Sequence, residues 1–119
     1  MGSTPIRSIM VVVYHVCGAS KLSRYIRAGV IKPPVRAWTT IIEAERFSKQ
    51  TGRPIILRLK FPADAKVLEG HRGMARYIEQ PYPVGDMFGS KIWEASGQWL
   101  FQEWAIWVSA RYVGAHYSV

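Results

Sequence analysis

"MVVVYHVCGASKLSRYIRAGVI", residues 10–31, joins an apolar run to a histidine, the chain's one cysteine, a small turn and a basic amphipathic stretch. Ile9–Val16 is almost continuously apolar and largely β-branched, which predicts a central strand buried on both faces. Gly18-Ala19-Ser20 turns the chain, and Ser20 is placed to cap the helix that follows. In that helix Leu22, Tyr25, Ile26 and Ala28 recur at helical spacing, while Lys21, Arg24 and Arg27 take the other side. Gly29 suits the helix stop. Lys32-Pro33-Pro34 then forces an extended segment, because a residue before proline avoids the helical region. A strand composed for burial therefore ends by presenting His15 and Cys17 where the chain must turn.

The next block, "TTIIEAERFSKQTG" (39–52), predicts a second helix. Thr40 and Glu43 have capping-box spacing, Gly52 closes the helix, and Ala44, Phe47 and either Ile41 or Ile42 face the core. In "RPIILRLKFP" (53–62), Leu57, Leu59 and Phe61 alternate with Arg58 and Lys60, the pattern of a half-buried strand. Pro62 ends it, and Val67-Leu68 suits a further short strand. Residues 70–98 carry Gly70, Gly73, Gly85, Gly89 and Gly97 with Pro81 and Pro83. They read as connection with a turn of helix at Met74–Glu79, and so long a connection suggests a binding loop. "QWLFQEWAIWVSARYV" (98–113) reads as strand throughout, with Leu100, Gln102 and Trp104 on one side and Phe101, Glu103 and Trp107 on the other. The order strand, helix, helix, strand, connections, strand predicts a single α+β domain over residues 9–119, after a disordered extension at 1–8.

Composition narrows the class. A chain of 119 residues, 49% hydrophobic and 20% charged, has the length for one modest core and is not disordered in character. One cysteine allows no internal disulfide, which fits a reducing, cytoplasmic setting. No apolar run approaches the roughly 18 residues that span a bilayer, and Met1–Tyr14 lacks the form of a signal peptide, so no membrane partner is expected. The net charge of +8 is concentrated: ten basic residues lie between Ser20 and Lys60, opposed only by Glu43 and Glu45. Such a segment suits phosphate groups; the alternative is a merely solubilising surface.

Candidate chemistry is sparse. His15, His71 and His116 are far apart in sequence and no paired-cysteine spacing exists, so no metal site is expected. Phosphate-loop and dinucleotide glycine patterns are absent. Cys17 near a helix start admits a thiolate nucleophile with His15 as its base, against the simpler reading of a small buried hydrophobe. Trp93, Trp99, Trp104 and Trp107 cluster with Phe88 and Phe101, either as core packing or as walls for a flat ring. Glu103 is an acid inside an aromatic strand, where burial would demand a partner or a role.

These segments together resemble the ADP-ribosyltransferase-like superfamily, which includes histidine-type transferases and RNA 2′-phosphotransferases. "VYHVCGASKLSRYIRAGVIKP" is similar to the family's opening, in which a first strand ends in a histidine and a short helix and the phrase I-x-x-G-[IL]-x-P follow. "AWTTIIEAERFSKQTGRPIILRLKF" resembles its middle block, and "FQEWAIWVSARYV" the block in which a glutamate opens the closing strand. The resemblance implies a small mixed or antiparallel sheet split around a cleft, with two N-terminal helices. It implies NAD as substrate and transfer of the ADP-ribosyl or a related phosphoribosyl group to a macromolecule. By the same carry-over His15 would bond the nicotinamide-side ribose and the Val16 backbone would meet the carboxamide. Thr39, or Thr40, would supply the supporting hydroxyl, with Trp38 beside it. Glu103 would hold the ribose 2′-hydroxyl and stabilise the developing cation, and Arg24, Arg27 and Arg36 would meet the pyrophosphate.

A second expectation belongs to a different class. The basic segment 20–60, with Tyr25 and Trp38 as exposed stacking platforms, suits an RNA-binding module without catalysis. Exposure of Trp93–Trp107 would favour a homodimer through that edge.

Overall fold

In the computed structural model, which describes residues 9–68, 75–94 and 96–104, the alternation of the second apolar run organises the core. The elements are β1 (Met10–Cys17), α1 (Ala19–Ala28), β2 (Val30–Ile31), β3 (Val35–Ala37), α2 (Ile41–Thr51), β4 (Ile55–Pro62), β5 (Arg76–Ile78), β6 (Tyr82–Pro83), a 3₁₀ turn (Val84–Asp86), β7 (Gly89–Trp93) and β8 (Trp99–Gln102). One antiparallel sheet has the order β1-β4-β7-β8, and β2-β6 and β3-β5 form two antiparallel ribbons. Among the described residues the fold is mixed α+β with two α-helices, as the order of segments implied. No helix among the described residues is long and apolar enough to cross a membrane.

The sheet buries its two faces unequally. Val13, Cys17, Leu57, Leu59 and Phe61 share one face and form the larger core with Leu22 of α1 and Tyr82. Val16 and Ile56 point the other way and pack under α2 with Ala44, Trp38 and Phe47. The two helices therefore cover opposite faces. Arg58 and Lys60 stand on the second face beyond the reach of α2, with Lys60 exposed.

Local punctuation explains the helices. Thr40 caps α2, its Oγ1 accepting from the Glu43 amide at 3.3 Å, and Gly52 ends the helix at φ +73°. Ile41 faces the core and Ile42 is 64% exposed, which decides between the two. The first helix ends on Gly29 at φ +78°, but Gly18 is its N-cap and no side chain bonds there. Ser20 lies inside the helix and does not cap it.

Other expectations need correction. The first strand is not central: it is the edge of the sheet, and Ile9–Val12 are exposed. Among the described residues its outer side is joined only at Tyr14, which exchanges two 2.8 Å backbone hydrogen bonds with Trp38. The turn of helix expected at Met74–Glu79 is instead β5, paired with β3. The connection 70–98 contains β7, a full strand between β4 and β8. The closing strand stops at Gln102; Glu103 lies outside it and Trp104 is already helical. The expectations for residues 1–8 and for 105–119, including Trp107 and His116, fall outside the described residues, as does His71.

Candidate functional site

The bridge between Tyr14 and Trp38 lays β3 beside the end of β1, so that the Arg36 carbonyl meets the His15 ring. Gly18 then sends α1 back across that end. Lys21, Arg24, Tyr25 and Ala28, at spacings of three and four, share one helix side and face the same hollow. The result is a cleft of about 720 Å³, of the size that takes a nucleotide-sized ligand. Its walls carry Lys21, Arg24, Arg27, Lys32, Arg36 and Arg53, and none of its lining residues is a carboxylate. Arg36 is held in place between the rings of Phe47 and Tyr77, 5.2 and 5.5 Å from their centroids. Among the described residues the lining holds six cations and no carboxylate, which favours a ligand with several negative charges.

His15 forms part of the wall, though only 8% exposed. A backbone carbonyl can only accept, so the contact of 2.6 Å to Arg36 requires that Nδ1 carry the proton and donate. Burial pulls the imidazole down to about 4, and the neighbouring Lys21, Arg36 and Arg53 add to this against the stabilising bond to Arg36. The ring is therefore neutral at physiological pH, and Nε2 is an acceptor. It receives the Tyr25 hydroxyl at 2.8 Å. Burial raises the Tyr25 phenol, which stays protonated and keeps donating. Carbonyl, imidazole and phenol thus form a relay with one polarity. The oxygen left with free lone pairs toward the cleft is that of Tyr25, not a nitrogen of His15.

Cys17 stands two residues beyond His15 but is sealed in the larger core. Burial pushes its thiol up to about 12, which leaves no thiolate for attack and corrects the nucleophile reading in favour of a small buried hydrophobe.

Five of the residues carried over from the family lie together: His15, Val16, Arg24, Arg27 and Arg36 all line the cleft. Others do not join them. Trp38 is 6% exposed and packed on Phe47 at 4.4 Å between centroids, so it can serve neither as a stacking platform nor as a wall. Thr40 is committed to α2, bonding both the Glu43 amide and its carboxylate, and Thr39 is exposed outside the lining. Glu103 is exposed, one residue past Gln102, which shares a sheet row with His15 through Leu57 and Ser90. β1 and β8 are opposite edges, three strand spacings or about 14 Å apart. The histidine and the acid do not converge in this arrangement.

Tyr25, Lys21, Lys32, Arg53 and Tyr77 are the polar-tipped cleft residues that sequence reasoning did not assign to it. Lys21 was legible as sharing a helix side with Arg24, and Arg53 as the cation directly after a helix-ending glycine, whereas Tyr25 was assigned to the opposite, apolar side and instead joins them at the cleft. Tyr77 left no signal, since its position depends on β5 pairing with β3. Among the described residues no three His, Cys, Asp or Glu side chains gather to hold a metal ion. Comparison of the chain with protein-family models, curated proteins and solved structures returned no match in any of the three.

Proposed function

We propose that the cleft binds NAD through its pyrophosphate and that the protein acts as an ADP-ribosyl transferase on a macromolecular acceptor. The observation that carries the binding half is the set of six cations around a neutral, hydrogen-bonded His15 with no carboxylate in the lining. The pyrophosphate would lie among Arg24, Arg27 and Arg36, where guanidinium forks suit phosphate oxygens. A ribose hydroxyl would donate to the Tyr25 oxygen, whose own proton is committed to His15. His15 acts in this reading as a positioning residue that orients the phenol.

Transfer is supported by the resemblance of the three sequence blocks. It requires a carboxylate beside the anomeric carbon, because the glycosidic bond breaks with development of positive charge that a cationic cleft alone would oppose. Glu103 supplies that charge only if the β8 end closes toward β1, so binding and transfer are separable. In a thermal-shift titration, NAD at a hundred times its Kd should stabilise the protein by about 2.7 kcal/mol, a rise of several degrees in Tm. ADP-ribose should do nearly as well and nicotinamide should not. Tyr25→Phe should weaken NAD about three- to ten-fold, the worth of one hydrogen bond. Nicotinamide release that disappears in Glu103→Gln would support transfer. No shift with millimolar NAD or ADP-ribose would remove the binding reading and the transfer reading with it.

A further inference from the structure

Along the sheet face beside α2, cations and aromatic rings form a continuous row, alternating except where Trp99 meets Trp93. Arg58 lies over Phe101 at 4.0 Å from the ring centroid and over Phe88 at 5.1 Å, and Lys60 covers Phe88 at 4.6 Å. In the other direction Lys91 reaches both Phe101 and Trp99 at 5.7 Å. Trp99 meets Trp93 edge-on at 5.2 Å, and Lys49 at the end of α2 covers Trp93 at 5.0 Å. The register explains the row: Lys91 and Phe101 share a sheet position with Ile56, Arg58 is two residues further along the same strand, and Trp93 pairs with Trp99. Arg58, Lys91, Trp93, Trp99 and Phe101 therefore project from one face, joined by Lys60 of β4, Phe88 and Lys49 of α2.

The row is partly exposed and cationic. Phe101 is 50% exposed and Trp93 38%. Lys91 is paired with Glu45, whereas Lys49, Arg58 and Lys60 have no carboxylate partner among the described residues. Two donors within the row, Arg58 Nε and Trp99 Nε1, are buried and find no acceptor there. Carboxylates adjoin the row in sequence: Asp86 is two residues from Phe88, Glu103 two from Phe101, and Glu94 follows Trp93. None of these cations or rings lines the cleft.

We infer that this face binds single-stranded nucleic acid, with Phe101 and Trp93 stacking on splayed bases and Lys49, Arg58 and Lys60 taking the intervening phosphates. Exposed rings spaced by cations match a polymer that alternates flat bases with negative charge. A duplex keeps its bases stacked inside and offers the rings nothing. Three unpaired cations give a definite salt dependence: for a single strand, log K should fall with log salt at a slope of about −2. The inference is independent of NAD binding in the cleft.

The test is fluorescence anisotropy of a labelled twelve-residue oligouridylate and oligothymidylate, with a duplex of equal length and inorganic polyphosphate as competitors. The single strands should bind with the stated slope and quench tryptophan emission, and neither duplex nor polyphosphate should compete at equal charge. Phe101→Ala should weaken binding about ten-fold by removing one stacked base, while leaving any NAD-induced thermal shift unchanged. Lys60→Gln, at an exposed position, should reduce the slope by about 0.7. Arg27→Gln, in the cleft, should change neither. Absence of binding at low salt, equal competition by duplex or polyphosphate, or loss of binding in Arg27→Gln with none in Phe101→Ala would overturn the inference. Phe101 and Lys60 are both surface residues, and an unchanged Tm in either variant keeps a negative result interpretable.

Discussion

At the scale of single residues, His15 is where the fold and the candidate site depend on the same proton. The folded ring takes up a proton only near pH 4, the unfolded ring near 6.5, so between those values the unfolded chain binds more protons. Stability contributed by the neutral ring is therefore complete above about pH 6.5 and is lost as the pH falls. By pH 4 the loss should reach about 3 kcal/mol. Protonation also puts a hydrogen on Nε2, so the Tyr25 hydroxyl must turn from donor to acceptor and the relay loses its polarity. Urea unfolding from pH 7.5 to 4 should show this slope in the wild type and a much flatter one in His15→Gln, whose amide can keep both bonds. Parallel profiles would mean that carboxylates elsewhere, not His15, set the acid limit.

At the scale of elements, Gly89 shows why one strand was hidden and makes a prediction of its own. A Cβ on Gly89 would sit 3.0 Å from both Nε and Nη2 of Arg58, so the bare glycine is what lets β7 pass beside that guanidinium. Gly89→Ala should push Arg58 off Phe101 and Phe88 and cost about 1 kcal/mol, roughly the worth of the lost ring contacts. In an Arg58→Ala background the same change should instead stabilise by about 0.5–1 kcal/mol, because alanine loses less chain entropy than glycine. Equal effects in the two backgrounds, read by denaturant unfolding, would show that Arg58 is not what the glycine accommodates. The same residue explains a misreading, since Gly89-Ser90 looks like loop when only composition is seen. By contrast β4 and α2 were legible almost to the residue: alternation of Leu57, Leu59 and Phe61 and the Thr40 and Gly52 caps are local signals that tertiary context did not override. The edge position of β1 was not legible, because an apolar run does not say which strands will pair with it. Tyr77 and Trp38 were opaque for the same reason: their exposure is decided by β3 pairing with β5 and by α2 covering the sheet.

At the scale of the whole molecule, the charge concentration in residues 20–60 was plain in the sequence, but its division was not. Lys21, Arg24, Arg27, Lys32, Arg36 and Arg53 gather at the cleft, while Lys49, Arg58 and Lys60 join the aromatic row. The cleft cations repel one another in the absence of an anion, so the arrangement that would hold a pyrophosphate also destabilises the empty protein. Removing one exposed member should expose the trade. Arg24→Gln should raise the stability of the ligand-free protein by about 0.5–1 kcal/mol at low salt, the scale of a few partly screened repulsions. It should also blunt the rise in Tm that sodium chloride produces in the wild type. Inorganic pyrophosphate at a few millimolar should stabilise the wild type well beyond sodium chloride of equal ionic strength, because two linked phosphates can engage several guanidinium groups at once. That excess should shrink in Arg24→Gln and persist in Lys60→Gln, whose charge lies on the other surface. If pyrophosphate does no more than salt, the six cations act as a screened surface and not as a site, whatever NAD does. If the excess shrinks equally in both variants, the two cationic regions are one diffuse field and their separation has no functional meaning.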